Sequence, residues 1–131
     1  MKATDLIHGG YCLLGKSKEV VKFYALNGHF YTLDNRCIGQ AYENAESGQI
    51  SCLVQGSVWL EVDPIPLTAE ILEKNGVKDS GALSYEFYDG YHVFLYAEKR
   101  TVHAGALWFV HELQHALRLC GLHDLADNFK I

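Results

Sequence analysis

Residues 11–62 alternate short apolar stretches with tight polar turns, and this rhythm limits the fold more than any other feature of the chain. The stretches at 11–14, 19–26, 29–33, 50–54 and 57–62 are rich in Val, Leu, Phe and Tyr and have strand length rather than helix length. Turn residues separate them: Gly15-Lys16-Ser17-Lys18, Asn27-Gly28, Asp34-Asn35 and Gln55-Gly56. Asn and Gly tolerate the positive φ that tight hairpins need. Residues 40–48, QAYENAESG, are polar and read as a loop or a short helical turn. Five short strands with tight turns predict a small, strongly bent antiparallel sheet or an SH3-like barrel.

Residues 63–76, DPIPLTAEILEKNG, read as a hinge followed by a short helix. Pro64 and Pro66 hold the entry extended. Thr68 is a good N-cap, Glu70 favours the positive end of the helix dipole, and Leu67 and Leu72 are spaced for a hydrophobic staple. Asn75-Gly76 ends the helix. Residues 82–88 and 91–97 then predict an aromatic hairpin around Asp89-Gly90.

The last long pattern is residues 104–120, AGALWFVHELQHALRLC. At helical spacing Ala106, Phe109, Val110, Leu113, Ala116, Leu117 and Cys120 form one apolar stripe. His111, Gln114, His115 and Arg118 fall on the opposite, polar side, which a small domain normally turns to water. The flanking Leu107, Trp108 and Leu119 leave room for partial cover of this side by the rest of the chain or by a partner. Gly121 is a natural C-cap, and residues 123–131 read as a short tail. The expected architecture is a single α+β domain, 1–131. Its parts are a β-rich segment at 1–62, the hinge and helix at 63–76, and at 82–131 a hairpin plus a C-terminal amphipathic helix packed on the sheet.

That helix carries the one motif of enzymatic type, His111-Glu112-Leu113-Gln114-His115, which fits H-E-x-x-H. Its spacing sets two imidazoles one turn apart, as zinc ligands, with Glu112 as the general base on a metal-bound water. A third protein ligand is required. The metzincin pattern needs Gly and then His three and six places after the second histidine, where this chain has Arg118 and Gly121. No Glu follows His115, which leaves His123, Asp124 or Asp127, or a histidine of the β part such as His29, His92 or His103. The motif also lies near the end of the sequence, with little room for a second helix beneath a site. A second string, Gly10 through Ser17, fits the phosphate-binding G-x-x-x-x-G-K-S loop, but strand-like residues both fill and follow it. A phosphate loop needs a helix there, so the hairpin reading is preferred.

Composition removes other classes. The net charge of −5 argues against binding nucleic acid by phosphate neutralisation, leaving only Lys16, Lys18 and Lys22 for a phosphate role. Cys12, Cys37, Cys52 and Cys120 form no C-x-x-C pair, and a Cys120–His123 nucleophile pair is broken by Gly121. No stretch resembles a signal peptide or a membrane helix, so a reducing, bacterial-type cytoplasm with free thiols is expected, and no membrane partner.

The strings PIPLTAEILEKNGV (64–77) and FVHELQHALRLCGL (109–122), with the aromatic hairpin between them, resemble a family of small uncharacterised bacterial proteins of phage and other mobile elements. The resemblance covers most of the chain, strongest at 64–76 and 111–122 and loose before residue 62. It brings no established catalytic residue. Family versions have the His-x-Leu-Gln core without the glutamate or second histidine, which implies that His111, Leu113 and Gln114 belong to the scaffold and that the full motif is incidental.

Two readings of different class follow. The first is a non-enzymatic accessory or host-directed, inhibitory module without cofactor. It would bind a protein partner through Leu107, Trp108, His111, Gln114, His115 and Arg118, with a homodimer as one form. The 12% aromatic content favours it, because such side chains supply interface area at low entropic cost. The second is a zinc-dependent hydrolase using His111, Glu112 and His115.

Overall fold

The computed structural model describes residues 1–75, 78–81, 84–87, 93–96, 101–102, 105–106, 109–119 and 121–131, with residue 69 and the segments between 78 and 106 described as backbone alone. The chain divides into two compact units, Met1–Ile65 and Pro66–Ile131, and the boundary falls between the two prolines of the expected hinge.

The first unit is a closed antiparallel barrel of β1 (Tyr11–Leu14), β2 (Glu19–Tyr24), β3 (His29–Thr32), β4 (Cys37–Glu43), β5 (Ile50–Val54) and β6 (Val58–Pro64). Each strand pairs with the next, and β1 pairs with β6 through Cys12↔Pro64, Leu13↔Asp63 and Leu14↔Val62. Closure leaves no free strand edge in the barrel. Alternation fills the interior with Cys12, Leu14, Val21, Phe30, Ile50, Cys52 and Val62, while Leu60 and Val54 pack against this core. Burying a side chain such as Phe30 or Val62 contributes about 1.5–3 kcal/mol each. The turns are where the sequence puts them: Asn35 and the Gln55-Gly56 pair hold positive φ. The 10–17 string is strand and turn, and β2 rather than a helix follows it.

β4 corrects the first part of the loop expected at 40–48: the strand runs to Glu43, and residues 44–48 form the expected turn. Its inward residues, Ile38 and Ala41, are out of phase with one another, and the pairing of β3 with β4 shifts between Phe30 and Tyr31. A strand with such an irregularity loses the two-residue period that reveals strands in sequence. Gly39 lies tight against β5, where an added Cβ would overlap the Leu53 carbonyl oxygen.

In the second unit, α1 (Ala69–Lys74) starts as expected, with the Ile71 N–H donating to Thr68 Oγ1 at 3.2 Å. Leu67 and Leu72 are both buried. Asn75 joins this helix to the chain's end: its Nδ2 donates to Lys130 O at 2.7 Å, and the Lys130 N–H donates to Asn75 Oδ1 at 2.8 Å. β7 (Lys78–Gly81), β8 (Ser84–Phe87) and β9 (Val93–Tyr96) form an antiparallel sheet in that order. β7 is one strand more than the hairpin expected from sequence, whose Asp89-Gly90 turn lies outside the described residues.

The helix expected at 104–120 starts later. Gly105 and Ala106 form β11, paired with β10 (Thr101–Val102), and α2 spans Val110–Leu119. Gly105 is a poor helix residue, and Phe109 bridges to Pro66 as β structure, so the helix begins after both. α2 closes with the Gly121 N–H donating to Arg118 O and the Leu122 N–H to Leu117 O, while Gly121 holds φ +79. This is the Schellman arrangement. The expected tail instead forms α3 (His123–Asp127), and Ala126 and Phe129 are buried. Among the described residues, no helix is long and apolar enough to cross a membrane.

Candidate functional site

The first candidate is the H-E-x-x-H segment of α2. Of the expected apolar stripe, Val110, Leu113, Ala116 and Leu117 are buried in α2, whereas Ala106 lies in β11, Phe109 precedes the helix and Cys120 lies outside the described residues. The polar side is not: His111 is 4% exposed and Gln114 fully buried, which corrects their placement on a solvent-facing binding surface. The Gln114 amide explains its own burial, since its Nε2 donates to Ala126 O at 3.0 Å and joins α2 to α3. The His111 ring stacks nearly parallel on Phe109, 5.8 Å between centroids. Leu107 and Trp108 lie outside the described residues.

The motif's other members have separate surroundings. Glu112 accepts the Phe109 N–H at 2.9 Å, so its carboxylate serves the N-terminus of its own helix. His115 is exposed. Arg118 Nη2 lies 2.9 Å from Asp127 Oδ1, an ion pair that occupies one of the carboxylates considered as a third metal ligand. His29 Nδ1 is 2.6 Å from Asn27 O, while His92 and His103 lie outside the described residues. Among the described residues, no group of three His, Cys, Asp or Glu side chains is arranged to hold a metal ion.

The second candidate is the outer face of the barrel over β4, β5 and β6. Inward Leu60 and Val62 leave Trp59, Glu61 and Asp63 facing outward along β6. Across the sheet, Trp59 is level with Leu53, and Glu61 with Ser51 and Tyr42. The Trp59 ring leans across this face to meet Tyr42 edge-on, with centroids 5.3 Å apart and planes at 69°. Trp59 nevertheless stays 57% exposed, Val58 49% and Tyr42 41%. Beside Trp59 is a cavity of about 680 Å³, bounded on one side by the 15–18 turn and on the other by β6. Sequence reasoning missed this site. The available signal was phase: Trp59 falls between Val58 and Leu60 in a strand whose inward residues are the even-numbered Leu60 and Val62.

A third aromatic group lies on β2 and β3, where Tyr24 packs on Tyr31 at 4.5 Å and His8 on Tyr24 at 5.4 Å. Lys22 Nζ sits 5.6 Å from the Tyr24 ring centre, and the Tyr24 hydroxyl donates to Asn35. These rings satisfy one another and their polar tips are bonded, so this group braces the barrel wall.

The scan of protein-family models and the searches of curated proteins and of solved structures return no match to this chain.

Proposed function

We propose that the chain is a non-enzymatic protein-binding module, whose SH3-like barrel presents the Tyr42–Trp59 face to a protein partner. The observation that carries the reading is the exposure of Trp59 and Tyr42, already packed against each other beside a cavity. A rigid aromatic pair of this kind supplies contact area with little rotamer entropy left to lose. The resemblance of 64–77 and 109–122 to small mobile-element proteins supports a cytoplasmic accessory or host-directed role. In this reading α2 contributes as scaffold. Buried Gln114 and the capping bond of Glu112 support that assignment over a zinc hydrolase built on His111, Glu112 and His115.

The test is selection from a displayed random-peptide library on the full chain, with Trp59→Ala as the counter-target. The expected result is a set of peptides that bind the wild type and lose at least about tenfold in affinity on Trp59→Ala, or about 1.4 kcal/mol. Failure to enrich any Trp59-dependent sequence would overturn the reading. Near-stoichiometric zinc in the untagged protein, lost in His115→Ala, would favour the hydrolase.

A further inference from the structure

One strand supplies one wall of the barrel cavity. Trp59, Glu61 and Asp63 are alternate residues on the outer side of β6, so neighbours in the row are spaced by roughly 7 Å. The facing wall is the turn that carries Lys16 and Lys18. Among the described residues, Glu61 and Asp63 have no basic group within 4.0 Å, and neither lysine has an acidic one. Charges of both signs therefore line one cavity without neutralising each other. Asp63 is half-buried on this wall of the cavity.

The turn is held rather than loose. The Gly15 N–H donates to Glu61 O at 2.9 Å and the Lys18 N–H to Gly15 O at 3.2 Å. Lys18 keeps φ +53, a left-handed conformation that L side chains rarely adopt. The cavity's size suits one or two side chains of a bound segment. A lone phosphate would find the lysines but face both carboxylates across the cavity.

We infer that this cavity binds an extended segment of a partner protein through an arginine stacked on Trp59 and paired with Glu61 and Asp63, with a carboxylate of the same segment directed to Lys16 and Lys18. Arginine fits better than lysine because its planar guanidinium both stacks on an indole and forks onto carboxylate oxygens. The inference rests on the protein-binding reading and gives its partner a chemistry.

The experiment uses the full chain and blocked pentapeptides, Ac-Ala-Arg-Ala-Glu-Ala-amide and two relatives. One relative has citrulline for arginine, the neutral isostere, and the other has glutamine for glutamate. Binding is followed by the Trp59 indole N–H signal in ¹H–¹⁵N spectra, assigned with Trp59→Phe. Glu61→Gln/Asp63→Asn should weaken the parent peptide by about tenfold and leave the citrulline peptide unchanged, the signature of direct coupling in a double-mutant cycle. Lys16→Ala/Lys18→Ala should weaken the parent peptide but not the glutamine peptide. Unchanged melting temperatures show that the variants fold. Equal affinity for the arginine and citrulline peptides, or no saturable shift up to about 10 mM, would overturn the inference. Trp59-dependent library peptides without arginine would also overturn it while leaving the protein-binding reading intact.

Discussion

The carboxylate of Glu112 accepts a hydrogen bond from the backbone N–H of Phe109 at 2.9 Å. Phe109 precedes the first residue of α2, so Glu112 sits at the third helical position and reaches back to the N-cap backbone. This is half of a capping box, with a carboxylate also well placed at the positive end of the helix dipole. Glu112→Gln keeps an acceptor at the same place and should lose only a few tenths of a kcal/mol, whereas Glu112→Ala should lose about 1 kcal/mol. Chemical denaturation of both variants checks this. Equal losses would mean that the charge or another contact, not the capping bond, sets the residue's value.

Gln114 gives the second prediction. Its side chain is fully buried and donates to the Ala126 carbonyl at 3.0 Å. Gln114→Leu keeps most of the volume but removes the donor and should cost about 1–2 kcal/mol. Gln114→Ala adds a cavity and should cost about 2–4 kcal/mol. Amide hydrogen exchange should accelerate in α3 in both variants. If α3 exchange is unchanged, the Gln114–Ala126 bond does not fasten the two helices together.

The sequence showed most of the barrel because its signals are local. Asn35 and Gln55-Gly56 announce their turns, and Thr68 announces α1, through the φ angles and caps their side chains allow. The irregular strand β4 was hidden, because inward Ile38 and Ala41 break the alternation. The burial of His111 and Gln114 was hidden for a different reason. A helical wheel gives one side to the core, but α3 covers Gln114 on the other side and Phe109 stacks on His111, and nothing in residues 123–131 resembles a long amphipathic helix. The Trp59–Tyr42 pair was invisible because it joins residues of β4 and β6 diagonally across the face, a relation fixed only by register.

Gly39 provides a test of that register. Any side chain there overlaps the Leu53 carbonyl oxygen and also meets the Cys52 sulfur, 3.1 Å from an ideal Cβ. Backbone atoms paired in a closed barrel cannot move aside easily. Gly39→Ala should therefore destabilise the first unit by about 3 kcal/mol, at the upper end for overpacking. Gly28→Ala is the contrasting variant: nothing lies within 4 Å of its Cβ, and its cost comes only from φ +67, about 1 kcal/mol. Thermal melts should rank them in that order. The reverse order would show that β4 and β5 do not approach as described.

The barrel thiols give the stability profile a direction in alkali. Burial pushes the Cys12 thiol up to about 12, with the neighbouring Cys52 and Asp63 adding to the shift. Burial likewise raises Cys52 to about 11, with a smaller contribution from Cys37. Unfolding returns both thiols to an ordinary value near 9.0. Between pH 9 and 12 the unfolded chain has released protons that the folded barrel still holds, so each pH step favours unfolding. The thiols' stabilising contribution is complete below pH 9 and is lost as pH rises through their folded values. Denaturation midpoints from pH 8 to 11 should fall more steeply in the wild type than in Cys12→Ala/Cys52→Ala. At pH 8, exposed Cys37 should react with a thiol reagent well before Cys12 and Cys52, which wait on opening of the barrel. Parallel pH profiles for the two proteins, together with equally fast modification of Cys12, Cys37 and Cys52, would show that Cys12 and Cys52 are not held in a dry barrel interior.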